Sequence, residues 1–247
     1  MNHILVYTVH KAGSMFIHRL TADVSARLDL DYHSINGPLY ETIKMQTWKG
    51  YIDGIAVPSC FGPIRSGSGI DIFPETLKTC HVGLHLRDPR DVLVSLFYSH
   101  TFSHRKQQGG FDPSDTQRQS WEARGVDAFV IENSEMVRDQ YLRLFNGLSN
   151  HPNVIEMRYE EMVSDFENWL PRFLSLFSSY ASDPARLDAI RTELIAVYRE
   201  EFTVSEEDVM AHKRQITPGD HRRKLTLETL ATLNETLREV LERMGYE

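Results

Sequence analysis

A chain of 247 residues with 41% hydrophobic and 25% charged residues has room for one large α/β domain or two small ones and the balance of an ordinary globular protein. Its net charge of -8 argues against general nucleic-acid binding, so an anionic ligand must be held by local positive groups against an acidic background. The two cysteines, Cys60 and Cys80, lie far apart with neither metal-ligand nor CxxC spacing, which speaks against a disulfide framework and for a reducing compartment such as the cytoplasm.

The N-terminus, "MNHILVYTVHKAG", has no basic region and no small-residue cleavage site, and reads as the first strand rather than as a signal peptide. Residues 3–9, "HILVYTV", form a continuous apolar run, as a strand buried on both faces should. A helix follows, with Phe16, Leu20 and Val24 at helical spacing and Ser14 as its expected cap. "LDYHSI" (30–35) and "DGIAVPS" (53–59, ended by Pro58) are the second and third strands, and "FGPIRSGSG" (61–69) is a loop by composition. "CHVGLHL" (80–86) is the fourth strand, and Pro89 starts the helix after it.

Residues 103–119 are polar and glycine-containing and read as a mobile loop. A long helix is expected over about 121–147, a fifth strand at "NVIEMRY" (153–159), and helix through most of 160–200. A basic loop, "AHKRQITPGDHRRK" (211–224), leads to an amphipathic C-terminal helix capped by Thr226. Strands alternating with helices predict an α/β fold: a mainly parallel sheet of about five strands covered by helices on both faces. The longest apolar run is too short to span a membrane.

Ligands of such sheets collect outside the carboxyl ends of the strands, and three motifs fall there. "HKAGSM" follows strand one, "RDPRD" strand four and "RYEE" strand five. In the first, Gly13 permits close backbone approach, the N–H groups of Ala12 to Met15 open a helix, and Lys11 adds a mobile positive charge. That chemistry suits a phosphate, but Lys11 precedes Gly13, the reverse of Walker order. In the second, Arg87 offers a bidentate contact to a phosphate and Ser95 a hydroxyl two turns into the helix; pairing of the arginine with Asp88 or Asp91 is the structural alternative.

These residues resemble the sulfotransferase family that uses 3′-phosphoadenosine 5′-phosphosulfate (PAPS). "HKAGSMF" is similar to that family's PKSGTTW loop at Lys11, Gly13, Ser14 and Phe16, with His10 in place of proline. "RDPRDVLVS", Arg87 to Ser95, matches every fixed position of RxPxDxxVS, and "YEEM" resembles YEDM. The late RKGxxGDWKNxFT loop is partly kept: Arg214, Gly219, Asp220, Arg222 and Thr226 line up, while Gln215 and Ile216 depart and Lys213 stands beside them.

The resemblance, from about Ile4 to Thr226, implies a single P-loop-kinase-like domain over 1–247. It also implies sulfuryl transfer from PAPS to a hydroxyl or amine of a small-molecule acceptor, releasing PAP without a metal. Lys11 would stabilise the leaving phosphate, with Ala12, Gly13, Ser14 and Met15 around it. Arg87, Ser95, Lys213 and Arg214 would hold the 3′-phosphate, and Tyr159 would lie near the adenine. Phe16 is either adenine stacking or core, or both.

The family's KTH histidine has no counterpart in "GIAVPSCFGPI". His33 is the first choice of general base, being near the end of the second strand and titrating near neutrality; Asp31 is second and His18, one turn inside the first helix, third. Residues 61–69 and 103–119 are candidates to line the acceptor pocket, where Arg65 suits an acidic acceptor. Two rival readings stay open. A P-loop-type small-molecule kinase explains the first loop but not "RDPRDVLVS", and a module could bind PAP or PAPS without catalysis.

Overall fold

The computed structural model describes residues 3–35, 48–65, 77–103, 114–148, 151–202 and 216–246. Its backbone falls into two compact units, one of Met1–Leu86 with Arg143–Phe202, the other of Arg87–Leu142 with Thr203–Glu247.

The first unit holds the sheet. Five strands, β1 (His3–Thr8), β2 (Asp31–Ser34), β3 (Ser59–Arg65), β4 (Cys80–Leu86) and β5 (Val154–Arg158), lie in the order β2-β3-β1-β4-β5, all parallel. β1 is the central strand and every one of its residues is buried, which is why it reads as an unbroken apolar run. Helix α1 (Ser14–Arg27) turns Ile17, Leu20 and Val24 inward and packs on β2 and β3. Helix α2 (Trp48–Asp53) precedes β3.

Neighbouring strands β1 and β4 send their chains toward opposite edges of the sheet, β1 to β2 and β4 to β5. The crevice that such a reversal opens at the strands' carboxyl ends is where open α/β sheets take ligands. The loops "HKAGSM" and "RDPRD" leave from these two strands.

The third strand corrects the expected boundary: β3 is 59–65, and "FGPIR" lies in the sheet rather than in a loop. Glycine and proline there signal close approach. A Cβ on Gly62 would meet the Val6 carbonyl oxygen at 2.8 Å, and the β1–β3 register shifts between Leu5 and Tyr7. Another correction concerns Ser14. It is the first helical residue, the cap position belongs to Gly13, and no side chain caps this end.

The second unit begins at helix α3 (Pro89–Tyr98), with Pro89 in its first turn as expected. A π-helical turn, Ser99–Ser103, continues it. Helix α4 (Asp115–Leu148) starts earlier than the periodicity predicts, interrupted at Gly125, and its last residues belong to the first unit. Residues 104–113 of the expected loop lie outside the described residues.

Back in the first unit, β5 is followed by α5 (Tyr159–Ser164), α6 (Phe166–Leu174) and α7 (Pro184–Tyr198). In the second, α8 (Asp220–Lys224) packs on α3, and the expected C-terminal helix is two, α9 (Leu227–Thr236) and α10 (Arg238–Met244), divided at Leu237. Thr226 caps α9 by accepting from the Thr229 N–H at 3.2 Å. Among the described residues no helix is long and apolar enough to cross a membrane.

Candidate active site

The turn after β1 is built from left-handed backbone. Lys11 has φ 60° and Gly13 φ 73°, and the Gly13 carbonyl accepts from the N–H groups of Phe16 and Ile17 at 2.8 and 3.0 Å, which starts α1. The first N–H groups of a helix have no intrahelical acceptor and carry its positive dipole end. A Cβ on Gly13 would meet Met162 Cε at 3.2 Å and Tyr159 Cε2 at 3.3 Å. Residues of "YEEM" therefore pack directly against the "HKAGSM" turn.

Arg65 joins this turn from the end of β3, where it pairs in register with Thr8. Its Nε donates to Ser14 Oγ at 3.3 Å, and its Nη2 lies 3.8 Å from Met15 Sδ. No carboxylate pairs with Arg65 among the described residues. Two cations thus stand beside the start of α1. Burial, then the charges of Arg65 and Lys11, push the His10 imidazole down to about 4, so His10 is neutral near pH 7. His85, buried in β4 beside the Ala12 backbone, is pushed down to about 3, by burial first. Phe16 lies in the interior, edge-to-face with Phe166, Tyr198 and Phe202 at centroid distances of 5.7, 5.4 and 4.9 Å.

The three candidate bases occupy different places. Asp31 is exposed at the start of β2. The His33 ring stacks on Phe61 at 4.7 Å, and its Nδ1 is 3.3 Å from the Tyr51 hydroxyl. The Nε2 of His33 is buried without a hydrogen bond among the described residues, and burial lowers its pKa. His18, half-buried on α1, has Nδ1 2.6 Å from the Tyr32 hydroxyl.

In the second unit the two arginines of "RDPRD" divide the two acids. Asp88 caps α3 through the Arg90 N–H at 2.9 Å, and Arg90 grips the same carboxylate with Nε and Nη2 at 3.0 and 2.8 Å. Arg87, 4% exposed, leans on Asp91 at the looser distance of 3.7 Å. Asp91 is the hub. It accepts from the N–H groups of Gly219 and His221 at 2.8 and 2.9 Å, and its Oδ1 is 2.7 Å from His221 Nδ1. Burial pushes its carboxyl up, but the His221 hydrogen bonds and the Arg87 charge outweigh this and hold it well below the usual carboxylate range.

Ser95 stands one turn beyond Asp91 on α3, half-buried. The segment carrying Gly219 and Asp220 is thereby fastened to the helix that carries Ser95. Lys213 and Arg214 lie outside the described residues. Sequence reasoning placed Asp91 only as a possible partner of Arg87 and passed over His221, although the fixed aspartate of "RDPRD" was the available signal.

The sulfotransferase domain family matches residues 1–245. The chain belongs to the sulfotransferase family. Similar solved folds include the mouse sulfotransferase SULT7A1 complexed with PAP (17% identity, 97% of this chain and 84% of that chain, TM-score 0.58). Another is a retinol dehydratase in complex with androsterone and inactive cofactor PAP (13% identity, 97% and 80% coverage, TM-score 0.51). No curated protein sequence matches.

This sulfotransferase therefore has the expected enzyme class, and the kinase reading falls away. Within its first unit the structure brings together the turn at 10–15, Arg65, Tyr159 and His18; within its second, Arg87, Asp91 and the segment at 219–221.

Proposed function

We propose that the enzyme transfers the sulfuryl group of PAPS to a hydroxyl or amine of a small-molecule acceptor and releases PAP, with both units forming one sulfotransferase domain over residues 1–247. The observation that carries this reading is the turn after β1, where Lys11 and Arg65 flank the opening N–H groups of α1. Gly13, at φ 73°, supplies the left-handed backbone from which α1 opens, and N–H groups at a helix start fit close approach by a phosphosulfate. Bound PAPS supplies an activated sulfuryl group.

The backbone of Ala12 to Met15 binds the 5′ end, and Lys11 stabilises the charge that grows on the departing phosphate oxygen. Arg87 and Ser95, with Lys213 and Arg214, take the 3′-phosphate, and Asp91 keeps Arg87 oriented. Tyr159 sits beside the turn on the adenine side, and Phe16 lies in the core against Phe202. Free, buried Cys60 and Cys80 fit a cytoplasmic setting.

The test is calorimetry with PAP against AMP, followed by an acceptor screen with labelled PAPS. Preference for PAP together with label transfer supports the reading. Equal affinity for PAP and AMP overturns the 3′-phosphate assignment, and tight PAP binding without transfer across hydroxyl and amine panels favours a binding module.

A further inference from the structure

We infer that His18, oriented by Tyr32, is the group that takes the acceptor proton; this deepens the sulfotransfer reading and rests on it. The Tyr32 hydroxyl donates to the Gly62 carbonyl oxygen at 2.6 Å, and a carbonyl can only accept. Burial pushes the Tyr32 phenol well above its ordinary value, so it keeps that proton at any working pH. Its single hydrogen is committed, and the 2.6 Å contact with His18 Nδ1 must be an Nδ1–H donated to the Tyr32 oxygen. Ser34 Oγ, 3.4 Å from the same nitrogen, is a second acceptor on that side. The lone pair of His18 is thereby fixed on Nε2, which makes no hydrogen bond among the described residues.

The place of the ring favours it over His33. Ser14 and His18 are four residues apart and share a face of α1, and helical side chains lean toward the helix N-terminus. His18 therefore leans toward the turn that binds the donor, where Arg65 holds Ser14. Adjacent strand residues point to opposite faces, so Tyr32 meets α1 while His33 lies on the other face of β2. In register His33 aligns with Phe61 and through it with Leu5, whereas Arg65 aligns with Thr8. His33 is thus three residues, about 10 Å, short of the carboxyl end of β1.

Among the described residues, the charged and titratable groups that face His18 are Arg19 on its own helix, Arg65 on β3 and Tyr32 on β2. Burial, then Arg65 and Arg19, lower its pKa, so the ring is neutral near pH 7. In the transfer the acceptor oxygen bonds to sulfur, the bond from sulfur to the 5′-phosphate oxygen breaks with its electron pair left on that oxygen, and the acceptor proton goes to Nε2 of His18.

The experiment joins imidazole nitrogen NMR on the wild-type chain, with His18 assigned by His18→Gln, to kinetics with PAPS and one acceptor. An Nδ1–H tautomer at pH 7.5 is expected. His18→Ala should lower kcat by roughly 10²–10⁴-fold with PAP affinity unchanged, and added imidazole should restore part of the rate. Tyr32→Phe should release the tautomer and lower kcat without raising KM. An Nε2–H tautomer in the wild type, or wild-type kcat in His18→Ala, overturns the inference; in the second case loss of activity in His33→Ala or Asp31→Ala transfers the role. A wild-type enzyme that moves no sulfuryl group from PAPS overturns the function reading itself.

Discussion

The imidazole of His221 is held 2.7 Å from the buried carboxylate of Asp91, although 130 residues separate them in the chain. The same carboxylate binds two backbone N–H groups of the late segment and faces Arg87. A buried carboxylate with four donors around it is what keeps a short basic segment from peeling off the helix that carries Ser95.

Asp91→Ala should therefore strip several buried donors of their acceptor at once. Breaking a buried ion pair costs about 3–5 kcal/mol, so a clear fall in Tm is expected together with weaker PAP binding. Asp91→Asn keeps the shape but loses the charge and an acceptor oxygen, and should fall between. Calorimetric scanning and PAP titration of both variants check this, and unchanged values in both would show that the cluster is not a latch.

Arg87→Ala should remove most of the preference for PAP over AMP. A lost charge-assisted contact is worth about 1.5–3 kcal/mol, whereas AMP, without a 3′-phosphate, should bind the variant nearly as it binds the wild type. Calorimetry with both nucleotides on both proteins measures the difference. An equal loss for PAP and AMP would mean that Arg87 supports the fold or the adenosine rather than the 3′-phosphate.

Local pattern was enough for β1, whose six buried residues can only be a central strand, and for the motifs that follow β1, β4 and β5. Pattern failed where a backbone contact distant in sequence decides. Gly62 looks like a loop residue until the Val6 carbonyl is seen against it. The site followed the same division. Lys11, Gly13, Arg87 and Ser95 stand in short contiguous stretches whose resemblance to family motifs makes them candidates. The packing of Tyr159 and Met162 on Gly13, the reach of Arg65 to Ser14 and the capture of His221 by Asp91 are tertiary contacts that no local window contains. His33 and His18 differ by which face of β2 each meets, and strand position alone does not encode that.

Lys11 and Arg65 should separate in their effects. Lys11→Ala is expected to lower kcat more than PAPS affinity, since its interaction strengthens as charge develops on the leaving oxygen. Normal kcat with weaker binding would make Lys11 a positioning residue. Arg65→Met should raise the pKa of His10 from about 4 and that of His18 toward the ordinary value, because the Arg65 charge lowers both. Histidine NMR titration reads this directly, and unmoved titrations would mean that the guanidinium does not face these rings.

His85 sets the last expectation, on acid stability. It aligns with Thr8 across β1 and β4, lies edge-to-face on Trp169 at 5.6 Å, and is fully buried. A proton on this ring would be a buried cation, and Arg158 adds repulsion; the folded pKa is about 3 against an ordinary 6.5. The unfolded chain therefore takes up the proton first as pH falls. Stability from this histidine is fully present above pH 6.5 and is lost progressively as pH drops from there toward 3. His10 acts in the same direction over the window from 6.5 to about 4. Asp91, with its depressed carboxyl, keeps its stabilising contribution above the ordinary aspartate pKa and loses it only as pH falls below that. Each buried histidine steepens the pH dependence by up to about 1.4 kcal/mol per pH unit. Urea unfolding between pH 7.5 and 4.5 should show this slope in the wild type and a slope about one proton shallower in His85→Gln. Parallel slopes in the two proteins would mean that His85 takes up its proton as readily folded as unfolded, against the burial that the structure gives it.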